Sequence, residues 1–415
     1  MICNRVGAYC EIRNELLRRL REAAPGRVQI LSGPRQVGKT TLLLELAREL
    51  GDRATYFSAD TTEAQISGWW EQVVRAAEGR ARKAGGGVLL VDEIPYMPDW
   101  SRRLKSEADR IHRVKVPLQV VVSGSSAIQL GKGSRETMAG RFERLRLFHW
   151  PAVELMRCFH LSPGEAVNQF IQSGSYPGGQ TLLGQPDRWR LYLRDSIIEP
   201  AIGRDILNLE AVRKPALLRQ VYAVSVGHPA EIVSVQKLAG ELAERGALET
   251  IAHYLQLLEE ACLVAGVRKY CERTLRQRAA PPKLTVLNHG LMAATGPAPE
   301  RERDPVRWGR WVENAIGAFA WNAGQTVCYW RAEPLEVDWV LDGSWGALAI
   351  EVKIGAYRSQ DVRGLLEFCR LYPKFRPLLL CDEGDEACGR DGGVSTQSWA
   401  SFLMNGPSEA ETLAT

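Results

Sequence analysis

The stretch GPRQVGKTT, Gly33 to Thr41, decides the fold. It lies between an apolar run, Val28 to Leu31, and a segment with apolar residues at helical spacing, Leu42, Leu43, Leu46 and Leu50. Gly33, Gly38, Lys39 and Thr40 satisfy G-x-x-x-x-G-K-[ST]. A strand, a glycine loop and a helix in that order make a phosphate cradle. Glycines let backbone N–H groups close round phosphate oxygens, a lysine reaches the β- and γ-phosphates, and a hydroxyl ligates Mg²⁺. The expectation is therefore that Gly33, Pro34, Arg35, Gln36, Val37, Gly38, Lys39, Thr40 and Thr41 hold ATP, with Lys39 on the phosphates and Thr40 on the metal.

Downstream, Gly85 to Glu93 (GGGVLLVDE) reads as a buried strand ending in two acids. At the carboxyl end of a parallel strand, Asp92 can hold the Mg²⁺ shell while Glu93 polarises an attacking water. Paired carboxylates there mark hydrolysis. A further strand, Leu118 to Val122, ends in Ser123-Gly124-Ser125-Ser126, and Arg135 and Arg141 follow in SRETMAGRFERLRLF. Strands and helices alternate along this part of the chain, which predicts a parallel sheet covered by helices. Ahead of the glycine loop, Tyr9 to Ala24 has the spacing of an amphipathic helix with Ile12, Leu16, Leu17 and Leu20 on one face, packing on that sheet.

Composition narrows the classes without choosing among them. The 415 residues are long enough for two to four domains, and 45% hydrophobic and 25% charged residues are those of a globular protein. A formal charge of +4 is too small to prove a polyanionic partner. The nine cysteines form no C-x-x-C pair, so neither a zinc site nor a disulfide framework is indicated. No apolar run reaches the length of a membrane span. The expectation is a cytoplasmic protein with no membrane partner.

GPRQVGKTT, VDEIP, SGSS and AGRFERLRLFHWP, followed by SGSYPG (173–178) and RDIL (204–207), resemble the bacterial and archaeal AAA-superfamily ATPases that carry a C-terminal restriction-endonuclease-like domain of unknown function. The resemblance runs from about Asn14 to Met404. It implies that Ser125 or Ser126, with Ser125 preferred, contacts the γ-phosphate and the water. It also implies that Arg141 serves as an arginine finger, within a chain or across a homo-oligomer, ordinary surface ion pairing being the alternative. Relatives usually carry Gly-Gly-aromatic-Pro where this chain has Gly174-Ser175-Tyr176-Pro177.

Two helical patterns, Val235 to Leu242 and Leu248 to Ala261, are joined by a short turn and followed by a strand and a basic loop. By pattern and resemblance this is a winged helix-turn-helix. Its second helix is apolar with Glu249, Glu259 and Glu260 and carries no Arg, Lys or Asn, so a nucleic-acid partner rests on the wing: Arg268, Lys269, Arg273, Arg276, Arg278 and Lys283, a cluster suited to phosphates. A solvated loop or a packing surface is the alternative.

A second candidate site follows. Arg307 to Asn322 reads as a helix with Trp308, Val312, Ile316 and Phe319 buried and Glu313 beside that stripe. In Leu335 to Leu341, alternation puts Glu336, Asp338 and Val340 on one face; in Ala347 to Lys353, Glu351 and Lys353 share a face. A hairpin through Gly343 to Gly346 brings Asp338 next to Glu351. Glu313, Asp338, Glu351 and Lys353 are similar to the PD-(D/E)XK nuclease set. Carboxylates there hold one or two divalent ions, Mg²⁺ or Mn²⁺, and the lysine positions a water. The leading proline of that motif is absent.

The expected fold class is α/β: an ASCE/AAA-type P-loop parallel sheet with a helical lid, a winged helix-turn-helix, and a C-terminal α/β restriction-endonuclease-like domain. The expected domains are residues 1–150 (ATPase), 151–210 (lid and linker), 211–295 (winged helix), 296–405 (nuclease-like) and 406–415 (disordered tail). The expected function is Mg²⁺-dependent ATP hydrolysis coupled to a nuclease-like domain acting on nucleic acid in repair, mobile-element handling or defence. The alternatives are a regulatory switch ATPase with an inactive nuclease-like domain, and an oligomeric nucleic-acid motor that does not cut.

Overall fold

The computed structural model describes residues 4–124, 140–207, 212–243, 247–271, 280–382 and 393–408. The chain divides into two compact units, Met1–Phe148 with Gly203–Glu210, and His149–Ile202 with Ala211–Thr415. Among the described residues no helix is long and apolar enough to cross a membrane.

The first unit is built on six parallel strands: β1 (Asn4–Gly7), β2 (Val28–Ser32), β3 (Ala54–Ser58), β4 (Gly87–Asp92), β5 (Leu118–Gly124) and β6 (Phe142–Leu147). Their order is β1-β6-β2-β5-β4-β3, so β5 lies between the strand that feeds the glycine loop and the strand that ends in Asp92. Strands β2, β4 and β5 are buried along their whole lengths, as continuous apolar runs in a covered parallel sheet must be. The helix Lys39–Leu50 buries Leu42, Leu43 and Leu46, each contributing about 1.5–3 kcal/mol of apolar burial. Trp70, Val73, Val74, Ala77 and Ala81 form the buried stripe of the helix Trp69–Ala84. The N-terminal helix is Tyr9–Leu20 and buries the four predicted apolar residues. It stops short of the expected Ala24 because Arg21 caps it with a tight turn to Arg18 and Arg19, and the residue before Pro25 is driven from helical geometry.

The second unit begins with helices Ala152–Phe159, Pro163–Ser173 and Pro186–Leu193, then continues through Pro215–Gly227, Val235–Glu241 and Leu248–Glu260. Strands β7 (Val264–Lys269), β8 (Lys283–Val286), β9 (Thr326–Ala332), β10 (Leu335–Asp342), β11 (Leu348–Val352), β12 (Arg376–Cys381) and β13 (Ser395–Ser398) follow, with helices His289–Ala293, Pro305–Asn322, Arg363–Leu371 and Trp399–Asn405 among them. They make one seven-stranded sheet in the order β13-β12-β11-β10-β9-β7-β8. The antiparallel pair β7–β8 joins the rest through parallel pairing of β7 with β9, Arg268 opposite Cys328 and Lys269 opposite Tyr329. The sheet thus runs across position 295, where the sequence reading divides two domains.

Two expectations are corrected here. Lys283 does not belong to a solvated basic wing: it opens β8 and is 0% exposed, held by carboxylates described below. Val340 does not share a face with Glu336 and Asp338. A register shift between Val337 and Val340 inserts a bulge in β10, and both valines join one core cluster with Leu365 and Phe368. Strict alternation fails across a bulge. Ser125, Arg135, Arg273, Arg276 and Arg278 lie outside the described residues.

Candidate functional site

At the carboxyl edge of the first sheet, the chain leaves β2 at Ser32 and turns through Gly33 to Gly38 into the helix that starts at Lys39. A Cβ on Gly33 would fall 1.8 Å from the carbonyl oxygen of Leu147 at the end of β6, so only glycine lets the loop pass there. Gln36 and Gly38 take left-handed backbone angles, φ 60° and 96°, and only glycine adopts that region without a Cβ penalty. Val37 is buried, while Thr40 and Thr41 are exposed at the helix start. Lys39 is buried, and its ammonium donates to the carbonyls of Gly33 (3.0 Å) and Pro34 (2.6 Å). Burial pushes this lysine below its ordinary value, against the nearby charges of Glu93 and Asp92.

Asp92 ends β4 almost without solvent contact. Because β5 is the adjacent strand, the Ser123 hydroxyl donates to Asp92 Oδ1, and the Tyr56 hydroxyl donates to Oδ2 at 3.3 Å from the other side. Glu93 follows at φ 48°, a left-handed angle unusual for a side-chain-bearing residue. Its N–H points back to Asp92 Oδ1 (3.1 Å) and Ser123 Oγ (3.2 Å), which fixes the turn that presents the second carboxylate. Arg141 pairs with Asp109 at 2.5 Å on an exposed surface.

The second unit gathers another charged cluster. The helix Pro305–Asn322 is started by Asp304, whose side chain accepts from the Arg307 N–H. Gly317 lets the Trp339 ring lie against this helix; a Cβ there would come within 2.4 Å of the ring. The Trp339 indole donates to the Glu313 carbonyl at 3.1 Å, which sets Glu313 over β10. Antiparallel register, Trp339 opposite Ile350, carries Asp338 beside Glu351, and Asp338 Oδ2 accepts the Val352 N–H at 2.8 Å. The Lys353 ammonium donates to Glu351 Oε1 at 2.7 Å. Glu313, Asp338, Glu351 and Lys353 are thus brought together. Lys283 joins them, 2.5 Å from Glu313 Oε1 and 3.7 Å from Asp338 Oδ1.

Burial, then the Asp338 charge, pushes the Glu313 carboxyl up to about 7 against the pull of Lys283. Burial and Asp338 likewise hold Glu351 well above the usual carboxylate range. Burial alone would lower Lys353 and Lys283, but Glu351 beside the first and Glu313 beside the second outweigh it, leaving both raised. A polar cleft of about 520 Å³, lined by Glu313, Glu336, Asp338, Arg310 and Arg331 among others, opens onto the acids.

A family model described as an AAA domain matches residues 25–156. The first unit has an AAA-type P-loop core. Two models described as domains of unknown function (DUF8612 and DUF4143) match residues 164–301 and 308–402. An uncharacterized protein of Mycobacterium tuberculosis, Rv2008c, is 24% identical over 81% of this chain and 72% of its own length. Protein SAP1 of Saccharomyces cerevisiae is 33% identical over 31% of this chain and 14% of its own. Among solved structures, the Aeropyrum pernix ORC1 protein in complex with DNA matches 70% of this chain and 92% of its own at 15% identity, with a TM-score of 0.32.

The sequence reading missed three partners in the AAA domain: Ser123, Tyr56 and Asp205. Ser123 was within sight, one residue past the expected end of its strand. Asp205 sits in RDIL and binds Arg35 of the glycine loop with both oxygens, each at 2.6 Å, while Arg204 lies 5.5 Å from the Tyr96 ring. The pair is largely buried, 17% and 9% exposed. Asp205→Ala leaves the guanidinium unpaired and should cost about 2 kcal/mol, below the full penalty for an orphaned interior charge because some water reaches it. Urea unfolding checks this. The double variant Arg35→Met, Asp205→Ala should recover part of the loss.

Proposed function

We propose that the AAA domain is a Mg²⁺-dependent ATP hydrolase coupled to a nuclease-like C-terminal domain directed at nucleic acid. The observation that carries the reading is the Asp92 carboxylate, fixed between Ser123 and Tyr56 at the sheet edge. Buried Lys39 and open Thr40 begin the helix after the glycine loop. This donor set fits the substrate: a desolvated ammonium for phosphate oxygens, and a hydroxyl and a buried carboxylate for Mg²⁺, which would neutralise charge developing on the transferred phosphoryl group. Asp92, held in place, would hold the Mg²⁺ shell. Glu93, set apart from Asp92 by its left-handed turn, takes the role of general base toward the attacking water. Ser123 acts through Asp92 as a positioning residue. We assign Arg141 the role of an arginine finger, within a chain or across copies, for which its pair with Asp109 has to open, and Ser125 a role toward the γ-phosphate.

In the second unit, the helix pair Val235–Glu241 and Leu248–Glu260 with the β7–β8 hairpin supports a winged helix-turn-helix. The convergence of Glu313, Asp338, Glu351 and Lys353 supports a PD-(D/E)XK relationship. Arg268 is exposed on β7, where it suits a phosphodiester backbone. One observation favours the rival reading, a regulatory ATPase whose nuclease-like domain binds without cutting: the acids already carry an internal cation, Lys283.

The test is ATP turnover by the full chain with and without Mg²⁺, and with single- and double-stranded DNA and RNA. Mg²⁺-dependent hydrolysis that disappears in Lys39→Ala and rises with nucleic acid is the expected result. Hydrolysis indifferent to Lys39→Ala sinks the ATPase assignment. A rate and an affinity blind to every nucleic acid remove that partner.

A further inference from the structure

The donor set of the second unit is not that of an open metal site. Lys283 comes from β8, within residues 164–301, while the acids lie within residues 308–402. Its ammonium stands 2.5 Å from Glu313 Oε1, donates to the Asp338 carbonyl at 3.0 Å, lies 3.7 Å from Asp338 Oδ1 and sits 4.4 Å from the centre of the Trp339 ring. We propose that Lys283 is a built-in cation that takes the place of a divalent metal ion between Glu313 and Asp338, so that the chain binds such an ion there only when the lysine charge is removed. The proposal rests on reading Glu313, Asp338, Glu351 and Lys353 as a nuclease-like set.

Four observations carry it. The side chain is 0% exposed and cannot swing into water without unpacking Trp339. Its backbone is fixed on both sides, by pairing with Val267 of β7 and by the bridge to Ile232. One oxygen of each acid is already engaged: Glu313 Oε1 by Lys283, Asp338 Oδ2 by the Val352 N–H, Glu351 Oε1 by Lys353. That leaves Glu313 Oε2, Asp338 Oδ1, which faces Lys283 at 3.7 Å, and Glu351 Oε2, buried with no hydrogen-bond partner among the described residues; three oxygens fall short of the about six that such an ion wants. The charges also count out: Glu313, Asp338 and Glu351 face Lys283 and Lys353, and Glu336 faces Arg331 at 3.7 Å. Even with all three acids ionised, at most one excess negative charge remains in the cluster, half of what a divalent ion brings.

The experiment titrates Mn²⁺ into the nucleotide-free full chain and follows free Mn²⁺ by electron paramagnetic resonance. Wild type, Lys283→Gln and Lys283→Met are compared, each with and without Asp338→Asn, and circular dichroism checks folding. The expected result is no Asp338-dependent binding in wild type and an Asp338-dependent site in the Lys283 variants, tighter by about ten-fold or more. Wild type binding Mn²⁺ through Asp338 as tightly as Lys283→Gln overturns the proposal and leaves the nuclease-like reading standing. Folded Lys283 variants that gain no site overturn that reading and the proposal with it. Should both variants unfold, wild type against Asp338→Asn decides alone: Asp338-dependent binding overturns the proposal, and its absence supports it.

Discussion

Glu93→Gln should leave ATP binding within a few-fold of wild type while lowering kcat by about 10²–10⁴-fold, the range lost with a general base. At room temperature this is about 3–5 kcal/mol of transition-state stabilisation. Glutamine keeps the size of the side chain and does not disturb the turn at φ 48°, which depends on the backbone N–H bonds to Asp92 and Ser123. What is lost is the charge that draws a proton from water. Lys39→Ala should differ in kind, weakening nucleotide binding as well as turnover, because its ammonium meets phosphate in the ground state too. Single-turnover hydrolysis and nucleotide affinity, measured side by side, separate the two. A Glu93→Gln enzyme with kcat near that of wild type would move the base to another residue.

The second large effect is a pH dependence. His289 is buried between the helices Pro163–Ser173 and Pro305–Asn322, its Nδ1 at 2.6 Å from the Ile171 carbonyl and its Nε2 at 2.9 Å from the Asn314 amide nitrogen. That arrangement suits a neutral ring with a proton on Nδ1, and burial pushes the imidazole down to about 4 from its ordinary 6.5. The unfolded chain takes up the proton first as pH falls. The stability due to neutral His289 is therefore complete above about pH 6.5 and is lost as pH drops toward 4. Glu313, raised to about 7, has the opposite sign, favouring the folded state as pH falls through the same window. Wild type alone therefore shows a difference of the two, and the informative quantity is the cost of His289→Gln. That cost should be about 2 kcal/mol smaller at pH 4.5 than at pH 7, read from urea unfolding followed by tryptophan emission. The Trp311 ring, 5.5 Å from His289, makes the local transition visible. A cost independent of pH would mean that the imidazole is not held neutral.

The parts that sequence made legible share a property: each is set by neighbours along the chain. Gly33 to Thr41 is a local loop, Asp92 and Glu93 end one strand, and the approach of Asp338 to Glu351 follows from a hairpin whose turn is visible in Gly343 to Gly346. Lys283 was misplaced because its environment is made by strands far apart in sequence. Nothing in a basic run after β7 signals that β7 will pair with β9 and bring β8 against the acids. The pairing of Arg35 with Asp205 escaped notice for the same reason, the two being 170 residues apart. The bulge in β10 has no local signature either, and it alone separates Val340 from the face of Asp338. Ser123 is a smaller miss: β5 runs to Gly124, so the serine that meets Asp92 lies inside the strand and not in the turn beyond it.

The pairing of β7 with β9 bears on how the second unit can change over time. Its two halves correspond to separate family models, yet they share one sheet across residue 295. A cut there would strip β9 of a neighbour, open a sheet edge to wrong pairing, and leave Glu313 buried with its counter-charge on the other piece. A substitution at Lys283 in one half should be answered by a change at Glu313 or Asp338 in the other.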